Sequence, residues 1–282
     1  MNFIEPALNQ LAGIIKDGYL RSETAMPDGF MQRLDARVKL MFMAFFLLII
    51  GIKGGIPSQA LIFVFTISLA VATGLSPAGF LKRTLPLAVF FGLLPALPAI
   101  LNVITPGDVL FAVIKTASSR QFGPYRVPAE IGPTIQGVEV ASRLTLRVLN
   151  SISVTFLVMS TTRFHELIRA LKMLRVPDTF LLIVILAHKY IFIFAKVLSD
   201  IYLAKKSRLI GGADGKDARG WITSRMAFIF RKSRHRYEEI FGAMMSRGFA
   251  DGIRLPSLKT PEGRDWMAGV LFFTAGCIIV WL

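Results

Sequence analysis

DTFLLIVILAHKYIFIFAKVLSDIYL, residues 178–203, decides how this chain is arranged. As a helix these 26 residues would reach about 39 Å, enough to cross a bilayer. Leu181 to Ala187 is apolar all round, while Lys189, Lys196 and Asp200 stripe the later half. The flanks argue against a crossing. Arg163, Arg169, Lys172 and Arg175 precede the stretch, and Lys205, Lys206 and Arg208 follow it. Both flanks favour the cytoplasm, and a single crossing would leave one of them outside. The stretch therefore reads as part of a long helix over 178–209 that lies along the floor of a membrane bundle and returns to the same side.

Outward from it, the chain is mostly membrane. It has 282 residues, 54% hydrophobic, with a mean hydropathy of +0.57. That is too apolar for an ordinary soluble domain. Apolar runs cover about 38–53, 57–76, 84–104, 138–160 and 266–282. Pro86, Pro95 and Pro98 predict a kink in the third, because proline removes a backbone donor. Residues 105–137 are rich in Gly and Pro and read as a long loop. This gives five spans with the N-terminus inside and the C-terminus outside. Phe3, Ile4, Ala7, Leu8, Leu11, Ile14 and Ile15 recur at helical spacing. They suit either a short helix at the membrane interface or one packed on the rest of the protein. The N-terminus lacks a basic segment followed by an apolar core and a cleavage site, so no cleavable signal is expected.

The net charge is +15. Nucleic acid is one explanation of such a charge and membrane topology is another. Residues 161–264 hold 20 of the 33 Lys and Arg, whereas the outer loops 54–56 and 105–137 hold three. That asymmetry accounts for the charge without a nucleic-acid partner. Glu139, Arg143 and Arg147 follow one another at i, i+4, i+8 on the fourth run. They read either as a structural pair near the outer surface or as a contact for a partner subunit.

Residues 161–175 form a basic amphipathic segment that ends at Val176-Pro177. After the Gly/Asp-rich turn 211–217, Ile222, Met226, Ile229, Tyr237, Ile240 and Met244 make an apolar stripe on a helix over about 220–248, with Ser233 as its one break. Two successive helices thus end alike, in Ala204-Lys-Lys-Ser-Arg-Leu209 and Ala243-Met-Met-Ser-Arg-Gly-Phe249. Taken singly, Ser-Arg-Gly is an ordinary helix C-terminus: Arg suits the negative dipole end and Gly accepts the left-handed cap. Two such ends on one cytoplasmic unit read as plugs, since a guanidinium can fork onto carboxylates or carbonyls in a partner's groove. A membrane scaffold that receives mechanical work from a soluble motor fits this pattern.

The sequence assigns no chemistry to the chain itself. Gly211 to Lys216 has the wrong spacing for a phosphate loop and no following hydroxyl. His165, His188 and His235 are scattered, and the single cysteine, Cys277, lies in the last apolar run. No metal site, cofactor or catalytic cluster is expected in this chain.

The motifs together resemble the transmembrane T component of energy-coupling factor ABC transporters, in its cobalt/nickel CbiQ-like branch. Leu34-Asp-Ala-Arg-Val-Lys39 is similar to the family's Leu-Asp-Pro-Arg-x-Lys before the first span, with Ala36 in place of proline. Thr161-Thr-Arg-Phe-His-Glu-Leu167 and Ala170-Leu-Lys-Met-Leu-Arg-Val-Pro177 resemble two further family segments. Glu238 to Phe249 resembles its second coupling motif. The resemblance covers about residues 30–255.

It implies an all-α polytopic membrane protein with about five transmembrane helices and a cytoplasmic unit of three coupling helices. The expected divisions are 1–160, with the N-terminal interfacial helix and four spans, 161–264 as the coupling-helix domain, and 265–282 as the last span. The implied partners are two ABC ATPase subunits, a substrate-binding membrane subunit and the lipid bilayer, with no nucleic acid. The implied coupling residues are Ser207, Arg208 and Leu209 at the first end and Ser246, Arg247 and Gly248 at the second. Ala204, Ala243 and Met244 support them on their helices. Leu209 departs from the family's usual small residue. The implied location is the cell (inner) membrane, multi-pass, with the basic domain in the cytoplasm. The rival readings are a self-contained carrier or channel and the permease of a conventional ABC importer. The first normally carries internal repeats, and none is visible here. The second usually presents one coupling helix per subunit, against two plugs here. A membrane-embedded enzyme would need a catalytic cluster that the sequence lacks.

Overall fold

A computed structural model describes residues 29–102, 105, 107–108, 114–115, 120–122, 125–127, 130–208, 215–249 and 262–281. The expected N-terminal helix lies outside these residues. The helices are α1 (Ala36–Ile52), α2 (Ile56–Ala72), α3 (Pro77–Ala88), α4 (Leu94–Ile100), α5 (Ile135–Thr161), α6 (Phe164–Ala170), α7 (Asp178–Arg208), α8 (Gly215–Ser246) and α9 (Gly263–Trp281). The chain forms two compact units, one containing Phe164–Lys259 and the other Met26–Arg163 with Thr260–Leu282.

In the membrane unit α5 is the central helix. It packs against α1, α2, α3 and α4, and α9 packs on α1 and α2. Phe42, Phe46, Ile49, Ile50, Ile62, Val154, Leu157, Val158 and Phe272 fill the interior. Phe46 stacks on Phe65 at 5.3 Å between centroids, and Phe42 meets Phe272 at 4.6 Å. The opposite faces carry exposed apolar side chains such as Leu48, Val64, Phe90, Val270 and Phe273. Helices apolar on both faces are buried helices or membrane spans, and here the outer face meets lipid. Gly276 lets α9 approach α1 closely, because a Cβ there would collide with the ring of Phe45.

The kink expected from the prolines is a widened turn. Between α3 and α4 the helix becomes a π-helix over Val89–Leu93, where the Leu94 N–H bonds to the Val89 carbonyl. Pro86 lies in the turn before and Pro95 just after. Neither can donate to the preceding turn, so the ladder slips by one residue there. Gly92 sits inside this turn against α5, where a Cβ would come to 3.1 Å from the Cα of Thr145.

Residues 105–137 are not wholly loop. Ile114–Lys115 (β1) pairs antiparallel with Glu130–Ile131 (β4), and Arg120–Phe122 (β2) pairs with Tyr125–Val127 (β3). The strands are too short to signal themselves by alternation.

Four described helices are long and apolar enough to cross a membrane: Pro77–Ile100, Ile135–Thr161, Asp178–Ile201 and Gly263–Trp281. Ile56–Ala72 is a shorter apolar helix. Ala36–Ile52 spans 17 residues, about 26 Å. The protein is a polytopic helical membrane protein. By length and hydropathy, Asp178–Ile201 is not distinguished from the other three. Only its basic flanks argued against a crossing.

In the other unit, α6 runs through a 3-10 turn (Leu171–Leu174) into an elbow. Arg175 has φ 61°, a left-handed conformation rare for a residue with a side chain. The Val176-Pro177 pair follows directly, and proline forbids continuation of the helix at that point. Lys172 Nζ donates to Asp178 Oδ2 at 2.8 Å and closes the elbow. Beyond it α6 packs on α7, with Phe164 stacked on His188 at 4.0 Å.

Candidate coupling ends and the charges behind them

The two expected plugs sit at the ends of the two longest helices. α7 has 31 residues and finishes at Arg208. α8 has 32 residues and finishes at Ser246. Leu209, the third residue of the first plug, lies outside the described residues.

The second end can be read in full. Arg247 N–H donates to the Met244 carbonyl at 3.0 Å, and Gly248 N–H to the Met245 carbonyl at 3.1 Å. Gly248 has φ +82°, and a Cβ there would meet nothing. Glycine is needed for the backbone angle alone, as in a left-handed helix cap. Arg247 is exposed just beyond the last turn and has no ion pair among the described residues. Phe249 stands beside it, 40% exposed. Ala243 is exposed and Met244 half-buried.

The serines do a different job from the arginines. Ser207 Oγ donates to the Ala204 carbonyl at 3.0 Å, and Ser246 Oγ to the Gly242 carbonyl at 2.9 Å. Each hydroxyl is spent on its own helix. At the second end the guanidinium is left as the group that projects. Its five donors in a planar fork suit carboxylates or carbonyls.

Behind Arg247 the charge of α8 is partly compensated. Arg234 pairs with Glu238 at 3.2 Å, Arg236 with Glu239 at 3.0 Å, and His235 lies 3.3 Å from Glu239. Met226, Phe230, Tyr237 and Phe241 are exposed along one side of this helix, at 67%, 72%, 64% and 52%. An exposed apolar strip of this kind, broken at Ser233, marks an interaction face. On α7, Phe180, Ile183 and Ile191 form a similar strip.

At one face the membrane unit handles charge in the opposite way. Lys39, 1% exposed, donates from Nζ to the Thr161 carbonyl at 2.9 Å. Asp265, 6% exposed, accepts from the Asp35 N–H at 2.9 Å and from the Glu262 N–H at 2.8 Å. Asp35 in turn accepts from the Arg37 N–H at 2.9 Å. The start of α1, the end of α5 and the start of α9 are thereby fastened at one face. Each sign is correct for the helix dipole: carboxylates at N-termini and an ammonium at a C-terminus. At the other end of α1, Gln59 Nε2 donates to the Ile50 and Lys53 carbonyls, and Asn150 Nδ2 donates to Gln59 Oε1 at 2.7 Å.

The sequence analysis met Lys39 as the last residue of the Leu34–Lys39 segment, with no role of its own, and it missed Asp265. A lone acidic residue in the first turn of a span was the available signal, since such a group is costly unless bonded. Glu139 and Arg143 form an exposed ion pair. Among the described residues no group of three or more His, Cys, Asp or Glu is placed to hold a metal ion. Cys277 is an exposed free thiol.

The sequence profile of the CbiQ family, described as cobalt transport protein, matches residues 28–257. An uncharacterized protein of Methanocaldococcus jannaschii is 24% identical over 226 residues, covering 80% of this chain and 73% of that protein.

Proposed function

We propose that this chain, which belongs to the CbiQ cobalt transport protein family, is the transmembrane scaffold of an energy-coupling factor importer. As a family member it is a membrane component of cobalt transport and not an enzyme. In the finer reading, two partner ABC ATPases hydrolyse ATP, and this chain passes their movement to a separate substrate-binding membrane subunit. Cobalt or nickel ion is the cargo.

The observation that carries this reading is the second helix end. A 32-residue helix is about 48 Å long and transmits a push along its axis with little loss. At its tip it presents one unpaired guanidinium, held just past a glycine-capped turn. A groove on an ATPase lined with carboxylates or carbonyls would accept it. Closure of the ATPases on ATP would move the Arg208 and Arg247 ends together. The exposed apolar strips on α7 and α8 would carry that motion to the substrate-binding subunit. The basic unit belongs in the cytoplasm in this scheme, because the ATPases need cytoplasmic ATP and its flanks are positive.

Two measurements on the intact system test the reading. Affinity purification from native membranes should recover two ATPase chains and a further membrane subunit in fixed ratio. Recovery of the chain alone, still competent for uptake in vesicles without nucleotide, would make it a self-contained carrier. Single cysteines at Lys172 and Gly212 in a Cys277→Ala background should both resist a membrane-impermeant thiol reagent in whole cells. Labelling of one but not the other would mean that Asp178–Ile201 crosses.

A further inference from the structure

We infer that the buried cluster of Lys39, Asp35 and Asp265 is the anchor through which movement of the basic unit enters the membrane helices. This rests on the transmission reading above. Three observations on different elements converge on it. First, Lys39 is almost wholly buried yet directs its ammonium at the carbonyl of Thr161, the last residue of α5. Second, the one carboxylate of Asp265 accepts from the N-cap residues of two helices, Asp35 before α1 and Glu262 before α9. Third, the chain leaves the membrane unit for the other compact unit at Arg163/Phe164. That passage lies two residues beyond Thr161, whose carbonyl Lys39 holds. The passage therefore leaves from the fastened end of α5.

A pull applied at this passage meets groups that resist it. Backbone hydrogen bonds to a buried charge are directional and stronger than neutral ones. The central helix α5 touches four other helices of the membrane unit, so displacement of its end is passed to the whole bundle. Without the Lys39 bond, the last turn of α5 could yield locally while the rest of the bundle stayed still. Energy spent on moving the basic unit would then be lost at the joint. Lys39 and Asp265 act in this scheme as positioning residues: they touch neither cargo nor nucleotide.

The test uses the complete transporter complex in proteoliposomes. Cobalt uptake and ATP hydrolysis are measured together, and the thermal midpoint of the purified complex is measured separately. Lys39→Met and Asp265→Asn keep side-chain volume while removing the charge. Each should lower ions transported per ATP hydrolysed by at least about tenfold, the factor expected when a hydrogen bond to a charged group is lost. ATP hydrolysis itself should stay within about twofold, as it depends on ATPase docking alone. Lys39→Arg keeps the charge and the donor and should restore most of the ratio. Ile62→Ala, a cavity in α2 away from the cluster, serves as the stability control. It should lower the thermal midpoint and leave the ratio unchanged.

A ratio that stays at the wild-type value in Lys39→Met and Asp265→Asn would overturn the inference. So would an equal fall of the ratio in Ile62→Ala at a matched thermal midpoint, since any loosening of the bundle would then suffice. If neither Lys39→Met nor Asp265→Asn yields an assembled complex, the cluster is a folding element only and the inference is likewise lost. Failure of the transmission reading itself has a different signature: Arg247→Glu would leave the ratio of uptake to hydrolysis untouched whatever the cluster variants do.

Discussion

The membrane unit buries two charged groups, Lys39 and Asp265, at its helix ends, and the basic unit displays Arg247 at one of its own. Lys39 and Asp265 are 1% and 6% exposed, and both are bonded to helix ends of their own unit. Arg247 stands in the open with no ion pair among the described residues. The same kind of residue at the same kind of place, a helix terminus, has opposite fates. A buried charge must be satisfied inside the chain, because leaving it unpaired costs several kcal/mol. An exposed charge is already solvated by water and loses nothing by waiting. The first arrangement fixes geometry. The second holds binding capacity for another molecule.

The sharpest way to break this contrast is to reverse the exposed charge. Arg247→Glu should leave the thermal midpoint of the isolated chain unchanged. It should reduce nucleotide-dependent cobalt uptake by about a hundredfold or more, the scale for losing a desolvated charge contact at an interface. Arg208→Glu should have the smaller effect, because the first end departs from the family's pattern at Leu209. Uptake at the wild-type level in Arg247→Glu would remove this arginine from the docking surface.

Glycine sharpens the comparison at a lower energy. Gly276→Val in the membrane unit drives a branched side chain into Phe45 and should cost about 2–3 kcal/mol of stability, the usual range for overpacking. Gly248→Ala meets no atom, and its cost is the left-handed backbone alone, about 1–2 kcal/mol and confined to the end of α8. Denaturation of detergent-solubilised protein should register the first and miss the second. Equal losses would mean that the α8 end is packed after all.

The serines predict a smaller change. Ser246→Ala removes a local bond to the Gly242 carbonyl, and uptake should fall by less than about threefold, the scale of a solvent-exposed hydrogen bond. A loss comparable with that of Arg247→Glu would show that the hydroxyl, and not the guanidinium alone, enters the partner. The last expected effect is zero. Calorimetric titration of the isolated, tag-free chain with cobalt or nickel ion should find no saturable site at micromolar affinity. Tight binding of these ions needs several nitrogen, sulfur or carboxylate ligands converging on one point. A stoichiometric site lost on mutating His165, His188 or His235 would move the cargo path into this chain.

How much of this was legible beforehand depends on the range of the interactions involved. The apolar runs located the membrane helices, because twenty or so lipid-compatible residues are a local property of the chain. The prolines foretold the break near residues 86–95, since a missing N–H acts on its own turn. The ends of α7 and α8 fell where the Ser-Arg endings were read, as capping is decided within a few residues. The two small ladders within 105–137 were not legible, because pairing partners such as Ile114 and Ile131 are joined by distance in space and not by any local period. The crossing of Asp178–Ile201 shows the limit from the other side: helix length and hydropathy say that it can cross, and only the surrounding charge argues that it does not.

The sequence by itself determined the class of the protein, the location of its helices and the two arginine-tipped ends, because periodicity, hydropathy and caps are set by near neighbours. Only the tertiary structure decided which charges work inside the chain. Lys39 meets the carbonyl of a residue 122 positions away, and Asp265 meets the backbone of one 230 positions away. In the sequence each is one more charge at the edge of a span. Folding alone removes the water around them, and the loss of that water is what turns a topological signal into a fastening.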